Sequence, residues 1–337
     1  MRAYTRRRLL ASVKLGLAAI PFSVAARLIL NESLPGGLLL GFGFGFTVGI
    51  AELFVLKNWL KKLPFLAHLI GKTLVIFLVL YVTFAVLDVL DIIAGVKTWE
   101  MYVQNLVEPN TLLGMTGGLA VIAFLLFFVH LDRLLGPGVL LGYVTGRYHR
   151  PRRELRIFMF LDLKGSTQLA DRMDADSYFD FLQDYFAQMS EPILETNAEI
   201  YQYVGDEVVL TWKMKNGVEE ASCIRVFFKF EDQINAHRQY FLEKYGVVPE
   251  FKAGMHAGEV ITAQIGDIKS EIVYNGDILN MTARIEALCN QLDRKLLVSA
   301  NLVERLSLGS EYRVHPLGKV ALRGKSEALE LCAVQRT

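Results

Sequence analysis

The chain has 337 residues, of which 53% are hydrophobic, and its formal net charge is +1 at pH 7. This near-neutral balance excludes a protein that binds nucleic acid through bulk positive charge. The mean hydropathy of +0.32 is high for a soluble protein, and the apolar residues concentrate before residue 137. The composition therefore predicts two domains in different solvents and no nucleic-acid partner.

The cysteines are few and scattered. Cys223, Cys289 and Cys332 form no CxxC pair and lie far apart in the sequence. This usage is typical of a reducing compartment and predicts neither a disulfide framework nor a zinc site.

Four apolar stretches are each long enough to span a bilayer, which takes about 20 residues. They lie near 9–30, 34–56, 69–93 and 111–135. The first follows the basic segment "MRAYTRRR" and in this respect resembles a signal peptide. Its apolar run is too long for one, however, and no cleavage site of small residues follows it. We therefore interpret it as an anchor and expect residues 1–136 to form a domain of four transmembrane helices.

Basic residues outside the apolar stretches predict the orientation in the membrane. They cluster at the amino terminus, in the second loop and after the fourth stretch, at Arg2, Arg6, Arg7, Arg8, Lys57, Lys61, Lys62, Arg147, Arg150, Arg152 and Arg153. The first loop has no basic residue and the third has only Lys97. Because positive loops stay in the cytoplasm, we expect a multi-pass protein of the inner (plasma) membrane, embedded in the lipid bilayer, with both termini cytoplasmic.

Polar and small residues within the apolar half indicate where it functions or packs. Ionisable residues lie within or at the ends of the predicted spans, at Asp88, Asp91, His130 and Asp132, and such residues are functional candidates. The last three lie so near the ends that interfacial positions are favoured. Glycines at 41, 43, 45 and 49 predict a face for close helix packing. No paired broken helices are present, which disfavours a transporter with a regulatory domain.

After the linker, predicted at 137–154 with a basic cluster suited to anionic headgroups, the pattern changes to alternating strands and helices. We predict a strand at 155–163, a helix at 167–191, a hairpin at 198–213 and a helix at 217–244. Strands at 251–257 and 259–265, a helix at 277–290 and late strands near 312–320 and 328–335 follow. This order predicts an α+β sandwich over residues 155–337, with one sheet face covered by helices.

Two carboxylates stand out in this half. Asp162 ends the first strand and precedes "LKGST", whose small residues Gly165, Ser166 and Thr167 let backbone N–H groups approach an anion. Asp206 lies at the tip of the hairpin "YQYVGDEVVL". If the hairpin pairs beside the first strand, both carboxylates converge, which suits Mg²⁺ and a two-metal site for phosphoryl transfer. Taken singly, each aspartate is also typical of a turn or cap.

Two further segments carry cationic or amide side chains. In "YNGDILNMTARIEAL", Asn280 and Arg284 are four residues apart and share one helix face, an arrangement suited to a triphosphate whose charge shifts during reaction. In "VALRGKSEALEL", Arg323 and Lys325 lie in a turn between strands. Alone, that turn is equally typical of a solvated surface.

Together these segments resemble the catalytic domains of class III nucleotidyl (adenylate/guanylate) cyclases of the membrane-anchored bacterial type. The resemblance covers about residues 155–335 and rests on "FLDLKGST", "YQYVGDEVVL", "GMHAGEVITAQIG", "NGDILNMTARIEAL" and "LRGK", in that order. It implies a ferredoxin-like α+β fold for the second domain.

The resemblance also implies roles for individual residues. Two divalent cations, Mg²⁺ or Mn²⁺, are held by Asp162 and Asp206, with Leu163 beside them. Asn280 and Arg284 stabilise the transition state. The substrate phosphates are bound by Gly165, Ser166, Thr167, Arg323, where the family usually has Lys, and Lys325.

In the reaction implied, the ribose 3′-hydroxyl of the substrate attacks its own α-phosphorus and pyrophosphate leaves. No enzyme nucleophile is needed, which agrees with the absence of a Ser/His or Cys/His pattern. In the family the metal aspartates and the Asn/Arg pair belong to different catalytic domains. Because this chain has one copy of each motif, the resemblance implies a homodimer.

The base pocket departs from the family pattern. Adenylyl cyclases usually carry Lys and Asp or Thr where this chain has Gln202 and Val273. Gln can donate and accept, whereas Val offers no hydrogen bond. We therefore expect ATP as substrate with GTP also used, and a guanylate cyclase is the alternative, although the Glu and Cys typical of its pocket are missing. An inactive nucleotide-binding receptor is disfavoured because Asp162, Asp206, Asn280 and Arg284 are all present.

Overall fold

The structure is a computed structural model that describes residues 3–29, 34–52, 64–93, 95, 98–136, 139–148, 150–321 and 328–337. It divides into two compact units, Met1–Leu135 and Gly136–Thr337. The described part of the first unit is helical, and the described strands all belong to the second.

The described helices of the amino-terminal unit are α1 (Ala3–Ile29), α2 (Leu34–Ile50), α3 (Phe65–Ile93), α4 (Trp99–Val107) and α5 (Pro109–Leu135). By length and composition, Phe65–Val82 in α3 and Leu113–Asp132 in α5 can cross a membrane. The apolar stretches of α1 and α2, Leu9–Ala25 and Gly41–Ile50, are shorter. Two predicted spans thus coincide with helices of sufficient length, and the four-span arrangement stays a prediction. The sequence did not predict α4, which lies in the third loop.

Glycines let α1 and α2 approach closely. A Cβ atom at Gly45 would lie 2.4 Å from the carbonyl oxygen of Leu15, and one at Gly49 would lie 2.7 Å from Cα of Ser12. Gly41 also contacts α1, whereas a Cβ at Gly43 would meet open space. The predicted glycine face is therefore confirmed except at Gly43.

Polar groups inside this unit differ from those expected. The side chains of Asp88 and Asp91 lie outside the described residues. A buried ion pair that the sequence did not predict joins Lys72 Nζ to Glu52 Oε2 at 2.8 Å. The imidazole rings of His68 and His130 lie near each other, with centroids 6.1 Å apart.

One sheet organises the carboxy-terminal unit. Its strands are β1 (Arg152–Leu163), β2 (Glu199–Val204), β3 (Glu207–Lys213), β4 (Phe251–Ile265), β5 (Glu271–Asn275), β6 (Leu296–Ser299), β7 (Tyr312–Val320) and β8 (Leu329–Arg336). They are ordered β2-β3-β1-β4-β6-β8-β7, and β5 pairs with β4 outside this path. Among the described pairings, β4 with β6 is parallel and the others are antiparallel.

Helices lie on both faces of this sheet, so the prediction that they cover one face is wrong. They are α6 (Val139–Val144), α7 (Ser166–Arg172), α8 (Ala175–Gln188), α9 (Ser190–Glu195), α10 (Met214–Val218), α11 (Ser222–Ala236), α12 (Arg238–Tyr245), α13 (Asp277–Gln291) and α14 (Ala300–Val303). The main core lies between the sheet and the helices from α8 to α12, with Met159, Phe181 and Phe227 buried. The other face carries α13, so close that a Cβ at Gly254 would lie 2.2 Å from the backbone nitrogen of Glu286.

Several predicted elements need correction. The helix predicted at 167–191 is three helices, because Asp174 caps a new one by accepting a hydrogen bond from the Ser177 backbone N–H at 2.9 Å. The helix predicted at 217–244 is interrupted where Ala221 adopts a left-handed φ of 49°. The strands predicted at 251–257 and 259–265 are one strand, β4, and the sequence did not predict β5 and β6.

The described part of the segment predicted as the linker 137–154 contains regular secondary structure. It contains α6, and β1 begins three residues before the predicted strand, at Arg152. The carbonyl of Tyr148 accepts a hydrogen bond from the Gln264 backbone N–H at 3.1 Å. The described part of this segment is thereby joined to the end of β4.

Candidate active site

The sheet brings the two predicted metal aspartates to one edge. Asp162 is the penultimate residue of β1, and Asp206 lies in the turn between β2 and β3. Because β3 pairs with β1 from Lys213 at one end to Val208 at the other, this turn lies beside the end of β1. Gly205 gives the turn its left-handed φ of 63°, which costs glycine little.

The surroundings of Asp162 are partly buried and charged. Burial raises the pKa of this carboxyl, a hydrogen bond from Lys252 lowers it, and the charge of Asp206 raises it further. Lys252 lies opposite Asp162 in the β1–β4 ladder, with its ammonium 3.1 Å from Asp162 Oδ2. The same ammonium donates to Glu286 Oε1 on α13 at 2.5 Å. Lys252 thus bridges helix α13 and the edge that carries Asp162.

Asp206 has an unsatisfied oxygen. Its Oδ2 atom is buried, and none of the described residues donates a hydrogen bond to it. A buried oxygen without a partner costs about 1–3 kcal/mol, and more when it is charged. Such a group is explained most simply by a ligand that binds it. A carboxylate oxygen in this position can accept a hydrogen bond or bind a cation.

A third acidic residue, Glu207, follows Asp206 at the start of β3. Burial raises the pKa of Glu207 to about 7, and the charges of Glu286, Asp162 and Asp206 add to this effect. Of these carboxylates, those of Asp162 and Glu286 contact the ammonium of Lys252. The mutual repulsion of the acidic groups favours additional positive charge at this edge.

The raised pKa of Glu207 predicts a pH-dependent stability in metal-free protein. Folding takes up a proton between about pH 4.5, where an unperturbed Glu titrates, and about pH 7. The free energy of unfolding therefore falls as the pH rises through this window, by at most about 3.4 kcal/mol and, because Glu207 is partly exposed and solvent screens it, by about 2 kcal/mol. We expect Glu207→Gln to remove this decrease in urea titrations at pH 5 to 8 in EDTA. The exposed Glu219→Gln serves as the control, and an unchanged slope in Glu207→Gln contradicts the assignment.

The segment after β1 has the predicted shape for approach to an anion. Gly165 adopts a left-handed φ of 73°, and Ser166 and Thr167 are the first residues of α7. Leu163, the last residue of β1, is buried in the main core. This segment therefore leaves β1 directly beside Asp162.

The strands that carry the two residues predicted to contact the base approach each other through neighbouring tyrosines. Gln202 is exposed on β2, and Val273 is half-buried on β5. The neighbouring rings of Tyr201 and Tyr274 have centroids 4.9 Å apart. The ring centroid of Tyr274 also lies 5.4 Å from that of Phe158 on β1. In the sheet, however, Tyr274 pairs with Thr262 of β4, which lies well beyond the β4 residue that pairs with Phe158. The far half of β4 therefore curves over the sheet and carries β5 toward β2.

Asn280 and Arg284 lie on α13 as predicted. Asn280 is exposed and Arg284 is half-buried. The Nη1 atom of Arg284 is buried and finds no hydrogen-bond acceptor among the described residues. Residues two apart on a helix point about 200° apart, so Arg284 is directed away from Glu286 and its contact with Lys252. Among the described contacts of one chain, no ion pair or hydrogen bond joins Arg284 to Asp162 or Asp206.

Arg323 and Lys325 lie outside the described residues. Two charged residues that the sequence analysis did not single out, Lys252 and Glu286, are both buried at 8% exposure. Lys252 could have been found, because it interrupts the apolar pattern of "EFKAGM" in a central strand. Glu286 is indistinguishable in sequence from an exposed helix residue.

Comparisons with known proteins identify the family to which the chain belongs. Residues 150–332 match the family described as the adenylate and guanylate cyclase catalytic domain. The chain is 36% identical over 271 residues to "Adenylate cyclase 2" of Rhizobium meliloti (strain 1021), which covers 80% of this chain and 74% of that protein. It is also 28% identical over 183 residues to "Adenylate cyclase" of Anabaena cylindrica, covering 52% of this chain and 36% of that protein. The chain therefore belongs to the family of adenylate and guanylate cyclase catalytic domains.

A solved structure shows the same fold. A bacterial light-regulated adenylyl cyclase matches with a TM-score of 0.54 and 19% sequence identity, covering 64% of each chain. The carboxy-terminal unit thus has the class III cyclase catalytic fold. The match with the Rhizobium meliloti protein is longer than this whole unit, so the similarity extends into the amino-terminal unit.

Proposed function

We propose that this protein is a membrane-anchored adenylate cyclase that converts ATP to 3′,5′-cyclic AMP and pyrophosphate in cyclic-nucleotide signalling. The observation that carries the proposal is the buried, unpartnered carboxylate oxygen of Asp206 beside Asp162. The two relatives described above are both adenylate cyclases, which supports ATP as the substrate.

The acidic edge fits divalent cations. Asp162 and Asp206 supply hard oxygen ligands, the oxygen Oδ2 of Asp206 lacks a partner, and the neighbouring carboxylates favour added positive charge. Mg²⁺ is usually bound by one or two carboxylates together with substrate phosphates. Asp162 and Asp206 would hold two ions, Mg²⁺ or Mn²⁺, with Leu163 beside them. Bound there, the ions supply Lewis-acid stabilisation of charge on the phosphates.

The chain's own residues then bind and orient the nucleotide. The segment Gly165–Thr167 presents backbone N–H groups to the phosphates. Arg284 has an N–H without an acceptor, which suits the charge that develops on the reacting phosphate. The ribose 3′-oxygen forms a bond to the α-phosphorus, the bond to the pyrophosphate oxygen breaks, and the hydroxyl proton passes to solvent. Holding the two reacting atoms in line is the protein's principal contribution.

The site is proposed to form between two copies of the chain. Asp206 has an oxygen that lacks a cation, and Arg284 has an N–H that lacks an anion, but they belong to separate parts of one chain. An isologous dimer places the aspartates of each protomer opposite the Asn280 and Arg284 of its partner. Two equivalent sites result. In each, the bound nucleotide and its cations would provide the partners that Asp206 Oδ2 and Arg284 Nη1 lack.

The base is proposed to lie near Gln202 and Val273. The amide of Gln202 can accept from the adenine amino group or donate to guanine O6, and Val273 contributes apolar contact. A pocket with one adaptable amide discriminates weakly between purines. Guanylate cyclase activity is therefore the second candidate function.

The membrane anchor is proposed to lie in the helices of the amino-terminal unit. The apolar stretches of α3 and α5 support this, as do the basic residues that flank the predicted spans. With this orientation the catalytic unit is cytoplasmic. The anchor would hold two catalytic units at high effective concentration and so favour the dimer.

Purified full-length protein should form cyclic AMP from ATP in Mg²⁺ or Mn²⁺, and form cyclic GMP from GTP more slowly. The product is identified by chromatography, and pyrophosphate is measured in parallel. EDTA is the control and should stop both reactions. Formation of cyclic GMP alone supports the second candidate, and no cyclisation of either nucleotide contradicts the proposed function.

A further inference from the structure

Arg156 is a buried cation with three partners. It lies on β1 and is 1% exposed. Its Nε donates to Glu154 Oε2 at 2.8 Å, and its Nη1 donates to Glu199 Oε2 at 2.7 Å. The guanidinium carbon lies 4.6 Å from the ring centroid of Tyr274. One side chain therefore contacts β1, β2 and β5.

The contacted strands carry the two predicted base-contacting residues. Glu199 is the first residue of β2 and Tyr274 belongs to β5, the strands that hold Gln202 and Val273. The register of β2 shifts between Ile200 and Gln202, which leaves Tyr201 in a bulge where it reaches Tyr274. Bulges re-aim side chains next to binding sites. The position of Gln202 relative to Val273 therefore depends on what holds β5 against β2.

The cluster requires arginine specifically. A planar guanidinium can stack on an aromatic face while its edge donates to carboxylates, which a lysine ammonium cannot do. Buried ion pairs add little net stability compared with apolar side chains of the same volume, and their best-attested use is to fix one arrangement. β2 and β5 do not pair with each other in the sheet. Arg156 therefore joins β2 and β5 by directional contacts, which the hydrogen bonds between neighbouring strands do not provide.

We propose that Arg156 is a positioning residue for the purine base, which fixes the β2–β5 arrangement that presents Gln202 and Val273 to the nucleotide. The inference rests on the proposed function, because it assumes a purine nucleotide in this pocket. It predicts that Arg156 affects recognition of the base and leaves recognition of the phosphates unchanged.

The test is Arg156→Met in the full-length protein, with Arg153→Met as the matched control. Arg153 lies on the same strand and pairs with Glu259, but its side chain is 74% exposed. We expect Arg156→Met to raise the Kd of 3′-deoxy-ATP, which lacks the attacking hydroxyl, by about tenfold, as for one or two lost hydrogen bonds. The inhibition constant of inorganic tripolyphosphate should change less than about twofold. With ATP, KM should rise while kcat stays within about threefold.

Glu199→Gln gives a milder version of the same test, since the Glu199 side chain is 38% exposed. It should shift the Kd of 3′-deoxy-ATP in the same direction and by less. If Arg156→Met does not fold, the triple variant Arg156→Met, Glu154→Gln, Glu199→Gln also removes the charges of the two carboxylates that pair with Arg156, and it replaces the single variant in every measurement.

Two results overturn the inference. One is an unchanged Kd for 3′-deoxy-ATP, equal to that of Arg153→Met. The other is an equal loss of tripolyphosphate and nucleotide binding, which indicates general damage to the site. Either result refutes the role of Arg156 in base recognition but does not contradict the proposed cyclase function of the wild-type protein. If wild-type protein neither binds 3′-deoxy-ATP nor cyclises a purine nucleotide, the proposed function itself fails.

Discussion

Replacing Asp206 with asparagine is expected to lower kcat for ATP by roughly 10³-fold or more, because one of the two carboxylates proposed to hold the cations is lost. The substitution keeps the size of the side chain and opens no cavity. It also removes one charge from a crowded acidic group, so the melting temperature in EDTA should not fall. Cyclic AMP formation in Mg²⁺ and thermal unfolding measure the two effects.

Metal binding separates this expectation from a general loss of activity. In wild-type protein, Mn²⁺ should raise the melting temperature because it binds only the folded state. Asp206→Asn should lose most of this increase, whereas Asp180→Asn, at an exposed position on α8, should retain it. An Asp206→Asn protein that keeps kcat within tenfold of wild type shows that Asp206 is not a metal ligand.

The sequence predicts the acidic edge because local patterns determine it. The hairpin around Gly205 and Asp206 requires only short apolar runs and a turn glycine. The first strand ends where "FLDL" meets the small residues of "KGST". The sole long-range assumption is that the hairpin pairs beside the first strand, and β3 does pair with β1.

The helix interruptions and the strand β5 could not be predicted in the same way. Asp174 becomes a helix cap only through its hydrogen bond to Ser177, which "MDADS" permits but does not require. β5 is short, and its position follows from the curvature of β4. That curvature depends on contacts such as Tyr274 with Phe158, which are far apart in sequence.

The buried charges outside the predicted site show a further limit. Arg156 and Glu286 look like exposed residues in sequence, because burial depends on which element covers them. Arg156 is covered by Tyr274 and Glu199, and Glu286 by its contact with Lys252 and Gly254. Hydropathy likewise locates the apolar helices of the first unit but gives no sign of the Lys72–Glu52 ion pair.

A mixture of two inactive variants is expected to regain activity if the site is shared between protomers. Asp162→Ala removes a metal carboxylate, and Asn280→Ala removes a side chain that the partner's nucleotide needs. In their heterodimer one site contains both defects and the other contains neither. Equal co-expression with random pairing should give about one quarter of wild-type activity, since half of the dimers are mixed and each has one intact site.

The matched control is co-expression of Asp162→Ala with Asp206→Ala. Both changes affect the aspartate pair, so each site of that heterodimer lacks one carboxylate and no activity should return. Differently tagged protomers, purified through both tags, establish that heterodimers form.

The structure gives the physical reason to expect this difference: Arg284 has no acceptor for Nη1, and no described ion pair joins it to either aspartate in its own chain. If purified heterodimers of Asp162→Ala with Asn280→Ala remain as inactive as the control pair, the site lies within one protomer. α13 would then have to move toward Asp162 when the nucleotide binds.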